Sequence, residues 1–157
     1  MPRKKVATES INRIKKYLEE AGLEYSVTDD EMIYLFNGSA IVYVETEVLN
    51  SGEECVHVFS VVVNGARMGE KLFRKLLVLN NVIHFGAFCI EDNLIIFRHK
   101  LLGGIHMDCD EFLFALRSVA VIADDYDDKI ISEFGGRTSV GNLEDRLREE
   151  SGQSLIW

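Results

Sequence analysis

The amino-acid sequence predicts an α+β domain in which helices flank an antiparallel sheet, and three features carry that expectation. Apolar residues recur at three- and four-residue intervals in three separate stretches. Five short runs rich in β-branched and aromatic residues lie between those stretches, three in succession and then two. The only proline is Pro2, so no element is interrupted from within.

Ile11, Ile14, Leu18 and Ala21 repeat at helical spacing, while Arg13, Lys15, Lys16, Glu19 and Glu20 largely fill the other faces. This predicts an amphipathic helix over residues 9–21, with Thr8 or Ser10 as its N-cap and Gly22 at its end. Two strand-like runs follow, Met32–Phe36 and Ala40–Val44, on either side of Asn37-Gly38. Asn-Gly accepts the positive φ angles of a tight turn, so these runs form a hairpin. After the polar loop 50–54, Val56–Val63 adds a third strand and completes a meander.

Asn64-Gly65 breaks that strand. Met68, Leu72, Leu76 and Leu79, with Phe73 and Leu77 widening the stripe, predict a well-buried helix over residues 67–81. A second hairpin joins Phe85–Ile90 to Leu94–Leu101 around Glu91-Asp92-Asn93, and Gly103-Gly104 closes it. Asp108 and Glu111 stand at capping-box spacing and open a long helix. Its buried face carries Phe112, Leu116, Val119, Ala123, Tyr126 and Ile130, and Gly135-Gly136 stops it. The order is α-β-β-β-α-β-β-α with five strands. Residues 1–136 read as one domain and residues 137–157 as a polar C-terminal extension with a weak helix over 142–150.

With 47% apolar and 27% charged residues, the 157-residue chain has ordinary globular composition. No apolar run approaches the roughly 20 residues that cross a bilayer, and the first residues lead into no signal-like stretch. A cytoplasmic protein without a membrane partner is expected. Three cysteines, Cys55, Cys89 and Cys109, are an odd number without close pairing, which speaks against a disulfide framework. The net charge of −9 is uneven. Residues 1–80 hold ten Lys/Arg against twelve Asp/Glu, and residues 81–157 hold seven against fourteen. Such an acidic half repels phosphate backbones, so nucleic acid is not an expected partner. The basic cluster at Arg3, Lys4, Lys5, Arg13, Lys15 and Lys16 reads as a solvated helix face.

Motifs for chemistry are missing from the sequence. Cys-x-x-Cys and His-x-x-x-His spacings are absent, so no metal and no cofactor are expected from His84, Cys89, His99, His106 or Cys109. No nucleophile elbow, phosphate-binding loop or dinucleotide fingerprint occurs. Asp124 and Asp128 share a helix face and read as solvated carboxylates. The expectation is therefore a non-enzymatic protein with no catalytic residues. The competing reading is an enzyme or small-ligand sensor with a pocket of Cys89, His99 or His106, in which Cys89 and His99 face each other across the second hairpin.

Leu79-Asn80-Asn81, Phe85-Gly86-Ala87-Phe88, Phe97-Arg98-His99 and the helix bearing Phe112 and Leu116 resemble the type III secretion chaperone-like family. That family includes the bacterial YbjN proteins, described as sensory transduction regulators. The resemblance covers about residues 8–134. It implies a strongly bent antiparallel sheet flanked by helices, a homodimer, and binding of another protein held in extended form against apolar patches. The acidic run Asp124–Asp128 and the extension ending in Trp157 depart from a dedicated effector chaperone and favour a regulatory adaptor. Candidate partner-binding residues are Tyr34, Phe36, Val42, Val44, Phe59 and Trp157, although strand faces such as these more often belong to a core than to a groove.

Overall fold

The computed structural model describes residues 5–138 and places their strands in one antiparallel sheet. In chain order the elements are α1 (Thr8–Glu20), β1 (Ser26–Val27), β2 (Ile33–Asn37), β3 (Ala40–Val48), β4 (Glu54–Asn64) and α2 (Glu70–Val82). They continue with β5 (Ala87–Glu91), β6 (Leu94–Leu102), a 3-10 turn at Gly104–His106, and α3 (Cys109–Phe134). The sheet order is β1-β2-β3-β4-β6-β5, so the chain leaves β4 through α2, forms the outermost strand β5, and returns beside β4.

The fold class is the expected one, with six strands rather than five. The extra strand, β1, has only two residues and pairs Ser26 with Tyr34 and Val27 with Ile33. Two residues carry no periodicity. What forms the strand is the loop after it, where the Thr28 amide donates to the Met32 carbonyl at 2.9 Å and the Met32 amide to Thr28 Oγ1 at 3.1 Å.

Alternation sorts the strands into two faces. Ile33, Val44 and Val58 follow one another across β2, β3 and β4 on the inner face, and Leu35 lies beside Val42. These residues form one core with Ile14 and Leu18 of α1, Leu72 and Leu76 of α2, and Phe112, Leu116, Val119 and Ile130 of α3. The run Val61-Val62-Val63 breaks strict alternation because the β4–β6 register shifts there, and this bulge buries both Val62 and Val63.

Three local expectations are corrected. First, α1 begins after Ala7, with no side-chain cap, and its Ser10 is a buried tie instead. The Ser10 hydroxyl donates to Glu54 Oε2 and accepts from the Gly104 amide at 2.7 Å. Second, Asn37 pairs with Ala40, so the hairpin loop is Gly38-Ser39, and the positive φ of 57° falls on Gly38. The Ser39 hydroxyl reaches both Asp124 and Asp127 of α3. Third, α2 is not well buried. It stands at the β5 margin of the sheet, where Leu72 and Leu76 are buried in the core and Leu79 packs half-buried against it, and Phe73, Leu77, Val78 and Val82 face outward.

The cap expected at α3 is present, with Asp108 Oδ1 accepting from the Glu111 amide at 2.8 Å. Tyr126 is half-buried and packs edge-on against Phe88. Arg137 exchanges two backbone hydrogen bonds of 2.9 Å with Asn64. The expected helix over 142–150 and Trp157 lie outside the described residues. No helix among the described residues is long and apolar enough to cross a membrane.

Candidate partner-binding face

The outer face of the sheet carries a band of rings. The register places Tyr34 beside Tyr43, Tyr43 beside Phe59 and Phe59 beside Arg98, one residue from each of four neighbouring strands. Tyr43 and Phe59 are stacked at 5.3 Å with 22° between their planes. Tyr34 stands 6.4 Å from Tyr43 and meets Phe36 edge-on at 5.9 Å. At the far end the Arg98 guanidinium lies 5.6 Å over the Phe59 ring, and its Nη2 is 3.3 Å from Glu91 Oε2. Phe36 is 60% exposed, the open end of the band.

That open end coincides with a free sheet edge. β1 pairs only with Ile33 and Tyr34, so β2 from Leu35 to Asn37 has no neighbouring strand on that side among the described residues. A cleft beside it is lined by Leu23, Tyr25, Ser26, Tyr34, Leu35 and Phe36. Glu24 also lines this cleft, and Asp29, Asp30, Glu31 and Glu45 line a second cleft beside Met32, at the start of β2. The opposite edge is blocked at Phe88. There the Asn80 side chain of α2 accepts from the Phe88 amide at 2.7 Å and donates to the Phe88 carbonyl at 3.0 Å, as a neighbouring strand would.

Of the residues singled out from sequence, Tyr34, Phe36 and Phe59 come together on this band. Val42 and Val44 do not. Each is 1% exposed and belongs to the core on the inner face, because alternation sends them away from Tyr43. Tyr43 and Arg98 were missed, although their strand positions alternate in phase with Tyr34 and Phe59.

The alternative Cys/His pocket is not assembled. Cys89 pairs with Ile96 on the outer face, whereas His99 pairs with Val58 on the inner face and stacks at 6.1 Å on Phe85. The two therefore lie on opposite sides of the sheet, and His106 is exposed on the 3-10 turn. Burial pushes the Cys89 thiol up, away from the thiolate a nucleophile needs. Burial also holds the His99 imidazole below the usual histidine range, with Glu111 offsetting part of that. Asp124, expected to be solvated, accepts from the Ser39 amide at 3.2 Å.

Two further groupings escaped the sequence. One is the apolar side of α2 noted above, continued by exposed Phe85 and by Phe114, whose rings meet edge-on at 5.2 Å. The other is Glu47, Cys55 and His57, whose donor atoms lie within 4.8 Å of one another on the outer face. Cys55-x-His57 was legible as a same-face pair, but Glu47 joins it only through the β3–β4 register.

Residues 9–142 match the family described as T3SS (YopN, CesT) and YbjN peptide-binding chaperone 1. The chain belongs to this family. Among solved structures, a chain from the crystal structure of the ExsC-ExsE complex superposes on this chaperone-family member with a TM-score of 0.59. That match covers 80% of the present chain and 97% of the other at 20% identity, a likeness of fold. No curated protein matches the chain.

Proposed function

We propose that this chaperone-family chain is a non-enzymatic regulatory adaptor that binds an extended segment of a partner protein at the free β2 edge. The observation that carries this reading is the exposed ring of Phe36 at the end of the aromatic band, beside backbone that has no neighbouring strand. A peptide added there gains main-chain hydrogen bonds from β2, and every second side chain falls on the rings. The family description names peptide binding, and the similar fold comes from a structure of a complex.

The same reading makes the protein a cytoplasmic homodimer. The outward side of α2 leaves Phe73, Leu77, Val78 and Val82 in water in a single chain, and a second copy of the same helix covers such a face symmetrically. This leaves the β2 edge free for the partner, because α2 stands at the other margin of the sheet.

The experiment is site-specific photo-crosslinking in the cells that make the protein. A benzophenone side chain at position 36 captures a defined polypeptide, while the same group at Lys16 on exposed α1 captures none. Equal capture at both positions, or none at position 36, would remove the β2-edge reading.

A further inference from the structure

We propose that Glu47, Cys55 and His57 form a binding site for a divalent transition metal ion of the zinc type. The argument begins with register. Glu47 on β3 stands directly opposite Cys55 on β4, and His57 is the next residue of β4 on that face. A carboxylate oxygen, a thiol sulfur and an imidazole nitrogen are thereby brought within 4.8 Å of one another. Zinc bonds of about 2.0–2.3 Å place neighbouring ligands of a tetrahedron roughly 3–4 Å apart, so small rotamer changes gather these three around one ion.

The environment favours a cation. His57 is 5% exposed, and its Nε2 lies 2.7 Å from Glu47 Oε1. These two atoms face each other closely enough for one ion to bridge them, and metal binding displaces any protons its ligands carry. Glu47 is partly open to solvent, which gives the ion a path in and water a fourth position. Glu45, opposite His57 on β3, adds negative charge, and Lys100, opposite it on β6, is exposed and points its charge into water. A mixed sulfur, nitrogen and oxygen set suits zinc, cobalt or nickel and disfavours magnesium and calcium, which take oxygen. The strands fix the three α-carbons, so the site needs no loop ordering.

The competing description is a histidine–glutamate pair beside a thiol that binds no metal, and the two separate in one titration. The full chain, stripped with chelator and kept reduced, is titrated with Co²⁺ and then with Zn²⁺. One equivalent of Co²⁺ per chain brings up a thiolate-to-cobalt absorption band, and Zn²⁺ bleaches it. Losing an outer-shell partner alone costs metal sites about 10–100-fold in affinity, so Cys55→Ser and Glu47→Gln should weaken Zn²⁺ binding at least that far. Cys89→Ser and Cys109→Ser leave it unchanged. His57 is buried, so His57→Gln is judged only if circular dichroism shows it folded; the other two variants carry the conclusion without it. Absence of one-equivalent uptake, or uptake that survives Cys55→Ser, would overturn the site.

Discussion

Ser10 shows how one residue ties distant parts of the chain. Its hydroxyl joins Glu54 at the start of β4 to the Gly104 amide after β6, and its own amide donates to Glu54 Oε2 at 2.8 Å. Ser10→Ala leaves the buried Gly104 amide without its acceptor, at a cost of about 1–3 kcal/mol. For a domain of this size that lowers Tm by roughly 2–12 °C, measurable by calorimetry. A Tm within a degree of the parent would show that the tie contributes nothing. His99 carries a pH dependence whose sign follows from burial. Its folded pKa lies below the ordinary value, so as pH falls below about 6.5 the unfolded chain takes up the proton first. The stability His99 contributes is complete above that pH and is lost on the acid side. His99→Phe keeps a ring against Phe85 and should flatten the acid limb of Tm against pH; an unchanged limb would mean that His99 takes up its proton as readily folded as unfolded.

Elements were legible where sequence pattern and packing agreed. The β2–β3 hairpin follows from two β-branched runs around Asn37-Gly38, and the α3 start follows from Asp108 and Glu111. Helix α2 matches its expected range within a few residues but not its expected surroundings. Its apolar residues spread over more than one side, which a sequence reads as deep burial, whereas a helix at the margin of a sheet buries one narrow stripe and offers the rest elsewhere. The same limit hid the Glu47–Cys55–His57 group and misplaced Val42 and Val44, because face and register are properties of paired strands. If a second copy covers α2, Leu77 is the residue to change, since 69% of it is exposed in the single chain. Leu77→Glu should alter intrachain stability by no more than about 0.5 kcal/mol. A leucine buried at an interface is worth about 1.5–3 kcal/mol, so the dimer dissociation constant should rise at least about tenfold by analytical ultracentrifugation. An unchanged constant removes α2 from the interface.

At the scale of the whole molecule, charge and topology act at the same place. The β5 edge of the sheet is blocked at Phe88 by Asn80, and the open β2 edge has Glu24 beside Phe36 and Asp29, Asp30, Glu31 and Glu45 at the start of the strand, in a chain of net charge −9. If the β2 edge binds a partner as proposed, these carboxylates favour a segment with basic residues flanking alternate apolar ones, and they act mainly on the rate of encounter. Surface charges are screened over about 8 Å at physiological ionic strength, so the association rate of such a segment should fall as salt is raised, with dissociation little changed. Replacing Asp29, Asp30 and Glu31 together by Asn, Asn and Gln should reproduce the high-salt rate at low salt and flatten the salt dependence. Phe36→Glu should instead speed dissociation, because it removes the ring on which the segment rests. Surface plasmon resonance with the polypeptide captured at position 36 separates the two effects. If both variants changed only the dissociation rate, these carboxylates would be part of the contact itself and not a steering field, and the partner would be recognised by direct ion pairs at the β2 edge.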